Sequence, residues 1–270
     1  MFPANAAKIL DSLSPTAVVV DIGAWAQPFT RANYVVDLMP YETRGVFGRI
    51  GPEREHFSRE TWLRLDLCTD PLPFEDKSID FIICSHTLED VRDPIRICRE
   101  MVRVAKRGYV EVPSRRMETI RNLEHRGYPG YYHHHWLVEI ENGTVTFRFK
   151  TPLLCSSWRY TFPRAYLREL RPEDRVAWLF WQDSFVFREI VQLGEDNVAA
   201  ELDAFVRRHR PYPAWRYGLE QLRPDIRNRV KRALKSTKRF RPLADRLLGR
   251  QLHVGDESQF WKDIPDHESK

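Results

Sequence analysis

Over the first 115 positions the apolar residues fall into short, largely β-branched runs, several of which end in an acid. These are AVVVD (17–21), YVVDL (34–38), WLRLDL (62–67), IDFIIC (79–84) and YVEV (109–112). Runs this short and nearly continuous predict strands buried on both faces rather than half-exposed ones. Only Ile22 to Asn33 separate the first two, about the ~10–12 residues that a crossover between parallel strands needs, so a helix there is one turn or absent. A short helix is expected over 4–13. A second follows the fourth strand, with Asp93 as N-cap and Pro94 at the first helical position. Its apolar stripe is Ile95, Cys98, Met101, Val102 and Ala105, and Lys106 and Arg107 suit a last turn before Gly108.

Strand alternating with crossover argues for an α/β fold with a mainly parallel sheet. Such sheets take ligands at the carboxyl ends of their strands, near the switch in strand order. Asp21, Asp37, Asp66 and the pair Ser85–His86 all fall at such ends. Beyond Pro113 the texture changes. Trp136–Lys150 reads as a β-hairpin around Asn142–Gly143, where both turn positions tolerate positive φ. A second hairpin is expected from Val176–Trp181 and Phe185–Ile190, joined across Gln182–Ser184, finishing the main sheet with an antiparallel edge. The first hairpin, about 127–152, is then an insertion over the strand rim; the reverse assignment stays open. Helical pattern resumes after Asp196, so the chain divides into a domain over 1–195 and a basic helical C-terminal extension over 196–270.

The 270 residues are 42% hydrophobic and 12% aromatic, a globular composition. No apolar run reaches bilayer length and MFPANAAKIL has no secretory pattern, so a cytoplasmic protein is expected. Cys68, Cys84, Cys98 and Cys155 show no CxxC spacing and read as free thiols. Net charge is +5, but Arg223–Arg250 holds eleven Lys/Arg against two Asp, so the other residues together carry −4. The basic pI therefore describes the tail and not the body.

VVVDIG followed by PF, then VVDL, then LDLCTDPLPFEDKSIDFIICSHTLEDVRDP together resemble class I S-adenosylmethionine-dependent methyltransferases of the group called type 11, over about Val18–Ser114. YYHHHWLVEIENGTVTFRF is similar to a subgroup met in bacterial glycan modification. The resemblance implies a Rossmann-like fold and S-adenosylmethionine as cofactor. It places Asp21, Gly23 and Ala24 at the methionine end, where a side chain at Gly23 would collide with the ligand. Asp37 falls on the ribose, Asp66 and Leu67 on the adenine, and Ser85 and His86 beside the sulfonium and the acceptor. One departure stands out. Ala24, Trp25 and Ala26 occupy positions where the family carries further glycines, so Trp25 has to point away or cover the ligand.

Methyl transfer from a sulfonium is an in-line displacement, and a hydroxyl acceptor also needs a base, for which histidine suits neutral pH. His86 is the first candidate as base or orienting residue. In an extended segment His133 and His135 share a face, and would bind substrate, serve as base, hold a divalent ion or pack a surface. No carboxylate stands at a spacing that completes a metal site with them, so none is expected. Glu89, Asp90, Glu111, Ser114 and Arg115 border the same strand ends; Arg115 suits an anionic group, and solvated or capping roles remain open for all. The tail, with Val230, Leu234, Phe240, Leu243 and Leu247 among its basic residues, suits an amphipathic helix packed on the body, peripheral contact with anionic lipid, or nucleic acid. It lacks the aromatic-basic interleaving of a nucleic-acid platform. Three functions follow in order: O-methylation of a sugar, glycan or other small polar acceptor; nucleic-acid methylation with the tail as clamp; and a non-catalytic cofactor- or partner-binding module.

Overall fold

The computed structural model describes residues 1–210 and 213. These residues belong to the first compact unit of the chain. The basic tail and its apolar positions lie outside the described residues.

The first unit is built on a six-stranded sheet and a three-stranded one. After helix α1 (Pro3–Ser12) come β1 (Val19–Ile22), β2 (Tyr34–Asp37), β3 (Trp62–Arg64), β4 (Phe81–Ser85), helix α2 (Pro94–Val104), β5 (Arg107–Pro113) and the single turn α3 (Arg115–Glu118). Strands β6 (Trp136–Glu141), β7 (Thr144–Phe149), β8 (Val176–Gln182) and β9 (Val186–Glu189) and helix α4 (Glu195–His209) complete it. The main sheet runs β3-β2-β1-β4-β5-β8, with only β8 antiparallel to its neighbour. This is the Rossmann-like arrangement that the resemblance implies, with the antiparallel edge expected from the sequence pattern. Strand order reverses between β1 and β4, which places the ligand-binding crevice of such a sheet at their carboxyl ends.

Both faces of the sheet are covered, which is why its runs are apolar at nearly every position. One face sets Val20, Ile22, Val36, Ile82, Cys84, Val110 and Val112 against α2 and against Val138, Val145 and Phe147 of the smaller sheet. The other sets Val19, Val35, Phe81, Ile83 and Tyr109 against Ala6 and Ile9 of α1 and against Ala24, Phe29 and Phe57 of the loops. Loops take this second face because the β1–β2 crossover contains no helix. Arg31 substitutes for one: it donates to the carbonyls of Pro15 and Ala17 and to Asn33, closing a backbone that has no helical hydrogen bonds of its own.

Asp93 caps α2 by accepting the Arg96 amide at 2.9 Å. The helix is shorter than its sequence stripe. It ends at Val104, because Ala105 already pairs with Ile79 beside the sheet, Lys106 reaches Asp80, and Arg107 opens β5. Its buried face is Ile97, Cys98, Met101 and Val104, while Ile95 and Val102 are half-buried. β3 also stops early, at Arg64, so Asp66 and Leu67 lie in the turn beyond it.

The β6–β7 hairpin forms as expected, with Asn142 at φ +49° and Gly143 at φ +73°. The second expected hairpin does not. β8 pairs along its whole length with β5, whereas β9 leaves the main sheet and joins β7 in parallel. Asp183, at φ +60°, turns the chain, and Lys77 Nζ holds the Asp183 carbonyl at 2.6 Å. The antiparallel edge is therefore one strand and the smaller sheet is three. α4 buries Leu202 against Leu137 and Leu154, and Phe205 and Val206 against Ile120 and Phe162, so it lies inside the first compact unit. All four cysteines are free; Cys84 and Cys98 are buried and Cys155 is exposed. Among the described residues no helix is long and apolar enough to cross a membrane.

Candidate active site at the carboxyl ends of the parallel strands

The strand ends carry their residues in one row: Asp66 past β3, Asp37 ending β2, Asp21 and Gly23 at β1, Ser85 and His86 at β4, and Glu111 in β5. Asp37 is 6% exposed and holds the loop after β1 to the end of β2. Its Oδ2 accepts the Trp25 amide and its Oδ1 the Met39 amide, each at 2.8 Å. Burial raises its pKa, against the pull of these amides. Each oxygen retains a lone pair for a further donor such as a ribose hydroxyl. Asp21 is more enclosed, 2% exposed, and its Oδ2 accepts the Phe29 amide at 2.8 Å. Burial lifts its pKa to about 7 in spite of that bond. Through Oδ2 its carboxylate fastens the loop after β1.

Gly23, at φ +65°, sits at the switch point. A Cβ there would stand 2.2 Å from both Cγ2 and Oγ1 of Thr87. The crowding expected from a ligand is thus already imposed by the loop after β4. Ala24 is buried in the second face of the core. Trp25 points away from the rim: its indole donates to Thr43 Oγ1 at 2.9 Å and its ring packs on that same core. Asp66 accepts the Cys68 amide at 2.8 Å and meets Arg92, from the loop after β4, at 3.1 Å; Leu67 packs half-buried beside Leu63 and Leu65.

His86 follows β4 at φ +56°, its side chain 40% exposed. Nε2 lies 3.1 Å from Glu111 Oε1 and Nδ1 3.5 Å from Glu89 Oε1. Burial would lower its pKa, but the two carboxylates outweigh it and lift the ring to about 9. Glu111 is held down to about 2: burial works upward, and hydrogen bonds from His86 and Tyr109 prevail. Glu111 also accepts the Phe2 amide, and Ser85 Oγ at 3.4 Å. At neutral pH His86 is therefore an imidazolium, able to donate and not to accept. The base expected at this position is occupied by its own proton.

The histidine segment is a turn and not an extended strand, which changes the pairing. His135 points outward, while its amide and that of Trp136 dock on the Glu89 carbonyl, at 2.7 and 3.2 Å. His133 and His134 are the two that meet, their ring centroids 4.5 Å apart. His134 is buried; its Nδ1 lies 2.7 Å from Glu118 Oε1, and Lys150 Nζ takes Oε2 of the same carboxylate at 2.6 Å. Burial pulls the His134 pKa down, but the Glu118 carboxylate outweighs it and raises it. Burial lowers His133 to about 4. Asp90 approaches both rings from the loop after β4. Arg115 is spent elsewhere, paired through Nη1 and Nη2 with Glu201 of α4 at 2.6 Å and stacked on Phe205. Ser114 caps α3.

Residues 25–110 match the family described as Methyltransferase domain. The match points to S-adenosylmethionine as the cofactor of the matched segment. The matched segment starts in the loop after β1 and runs into β5, so it covers Asp37, Asp66, Ser85, His86 and Thr87, while Asp21 and Gly23 lie just before it and Glu111 just after. Among solved structures, a chain of the complex between the Haloferax volcanii Trm112 methyltransferase activator and a methyltransferase is 21% identical, over 42% of this chain and 53% of that one, with a TM-score of 0.30. An S-adenosylmethionine-dependent methyltransferase from Mesorhizobium loti is 20% identical over 53% and 63%, TM-score 0.31. Haemonchus contortus phosphoethanolamine N-methyltransferase 1, solved with phosphoethanolamine and S-adenosylhomocysteine, is 15% identical over 97% and 53%, TM-score 0.34. The chain spans 53% of the length of the first of these. No curated protein sequence matches.

Along the rim, sequence reasoning missed Thr87 as the neighbour that fixes Gly23, and Glu111 as the hub that sets the charge on His86. Beyond it, reasoning missed Glu118 and His134, buried polar partners far apart in sequence. A period-two reading of YYHHHW put the wrong two histidines together, because a turn at Tyr132–His133 breaks the alternation.

Proposed function

We propose that this protein transfers a methyl group from S-adenosylmethionine to an oxygen of a sugar or other small polar acceptor, held between the end of β4 and the histidine turn. The observation that carries the reading is the rim itself. Asp37 accepts the Trp25 amide just past β1 and Thr87 donates to the Gly23 carbonyl, which ties β2, β1 and the loop after β4 together at the reversal of strand order. Bound there, S-adenosylmethionine supplies an activated methyl group with a neutral thioether as leaving group. The chain's own contribution is alignment and exclusion of water. Asp37 holds the ribose, and the backbone around Gly23 and the small Ala24 allow close approach. His86, positively charged, donates a hydrogen bond that orients the acceptor oxygen. The acceptor proton passes toward the Asp90–His133–His134 group. A glycan acceptor is favoured by the polar, aromatic-flanked histidine turn beside the rim.

Calorimetric titration with S-adenosylmethionine tests the first half. Saturable binding is expected, and Asp37→Ala should weaken it about 10- to 100-fold, from loss of hydrogen bonds to a charged group worth ~1.5–3 kcal/mol. An unchanged affinity in a variant that melts normally removes the ribose assignment. Labelled-methyl transfer screened over nucleotide sugars and oligosaccharides tests the second half; transfer to none of them, with turnover on another acceptor class, replaces the glycan reading.

A further inference from the structure

The histidine turn brings His133 and His134 against Asp90, 43 residues earlier in sequence. Nε2 of His134 lies 3.5 Å, and Nε2 of His133 3.9 Å, from one and the same atom, Asp90 Oδ1. One donor atom from each of the three residues lies within 4.8 Å of the others. Asp90 Oδ1 is shut off from solvent and accepts no hydrogen bond among the described residues. Beside it Glu89 is 1% exposed, with His86 Nδ1 3.5 Å from Oε1 and no hydrogen bond to Oε2 among the described residues. Buried anionic oxygens without donors are costly, and the arrangement calls for positive charge.

A proton shared between His134 and Asp90 serves two atoms; an ion serves all three that converge. The surroundings are those of a metal ligand. His134 presents Nδ1 to a buried carboxylate, Glu118, at 2.7 Å, and Lys150 pins that carboxylate in turn. A histidine held in this way through one nitrogen has its tautomer and ring plane fixed, with the other nitrogen aimed at the metal. Donors bonded at ~2.0–2.1 Å on a tetrahedron stand ~3.3–3.4 Å apart, so the His134–Asp90 spacing of 3.5 Å is nearly correct already, and His133 at 3.9 Å has to move closer to Asp90. Two imidazoles with one carboxylate suit zinc and its first-row neighbours, and not calcium or magnesium, which take oxygen shells.

We propose that Asp90, His133 and His134 form a binding site for a first-row divalent metal of the zinc type, with a position left open for water or a substrate oxygen. The site goes beyond methyl transfer and stands without it. If both hold, an acceptor hydroxyl bound at the open position would shed its proton more readily.

The test uses the full chain, stripped with chelator and titrated with zinc chloride by calorimetry, and separately with cobalt(II) followed by visible absorption. One equivalent of zinc is expected, with an intense four-coordinate cobalt spectrum. Asp90→Ala and His133→Ala should each weaken zinc at least tenfold, while His135→Ala, outward-facing next door, should leave it unchanged. Asp90→Asn keeps the side chain's shape and supplies the same comparison if the alanine variant does not fold. Absence of binding, an unchanged affinity in the Asp90 variants, or a loss in His135→Ala equal to that in His133→Ala overturns the proposal; the last would mean an adventitious histidine-rich surface. Binding of S-adenosylmethionine to the stripped protein is read separately. Zinc bound without it leaves this site standing and removes the methyl-transfer reading.

Discussion

Replacing Gly23 by alanine probes the switch point most directly. Two penalties combine. A non-glycine residue at φ +65° costs ~1–2 kcal/mol. The new methyl group would also fall 2.2 Å from both Cγ2 and Oγ1 of Thr87 and 2.7 Å from its Cβ. Overpacking of that kind costs about 1–3 kcal/mol. The loss is therefore about 2–5 kcal/mol, or roughly 5–15 °C in melting temperature for a unit of this size. The assay is thermal melting of the protein without cofactor, repeated in a Thr87→Ala background. Thr87→Ala alone loses the hydroxyl's contacts with the carbonyls of Ile22, Gly23 and Ser85, worth about 1 kcal/mol. In that background two of the three close atoms are gone, so the Gly23→Ala penalty should shrink by about 1–2 kcal/mol, leaving the backbone term and the Cβ contact. A Gly23→Ala protein that melts like wild type yet no longer binds S-adenosylmethionine would refute this reasoning. It would mean that the ligand, and not Thr87, sets the need for glycine.

Two further outcomes follow from the buried charges. Lys150→Met should leave Glu118 in the interior with His134 as its remaining partner and cost about 3–5 kcal/mol, measured by urea unfolding; a loss below about 1 kcal/mol would place Glu118 in contact with water. The His86–Glu111 pair, with Glu89, Ser85 and Tyr109 around it, should shape stability against pH. His86 is raised from 6.5 to about 9, so its contribution is complete below about 6.5 and lost as pH rises through 9. Glu111 is lowered from 4.5 to about 2, so its contribution is present above about 4.5 and lost as pH falls through 2. Melting temperature should therefore decline between pH 6.5 and 9 in wild type and decline less in His86→Gln; parallel curves would show that His86 is neutral in the folded protein.

Much of the framework was legible because it rests on local rules. β-Branched runs, a twelve-residue crossover too short for a helix, Asp93–Pro94 at a helix start and Asn142–Gly143 at a hairpin each constrain the backbone within a few residues. The row of acids followed, since parallel strands present their carboxyl ends on one side whatever the loops do. Where two local signals competed, reading stopped. Val176–Trp181 and Phe185–Ile190 look like a hairpin, yet strand partners are chosen by the open edges of β5 and β7, which no local pattern announces.

The sequence by itself determined a mainly parallel sheet and the location of its rim, because the spacing of apolar residues fixes which backbone is buried; its Rossmann-like character came from the family resemblance. Only the tertiary structure decided the chemistry along that rim. A carboxylate's role depends on what lies within a few ångströms of it: Glu111 converts His86 from a base into a cation, Thr87 takes the room beside Gly23, and Asp90 meets His133 and His134 across 43 positions. Coulombic and steric forces act through space, and proximity in space is what the folded chain supplies.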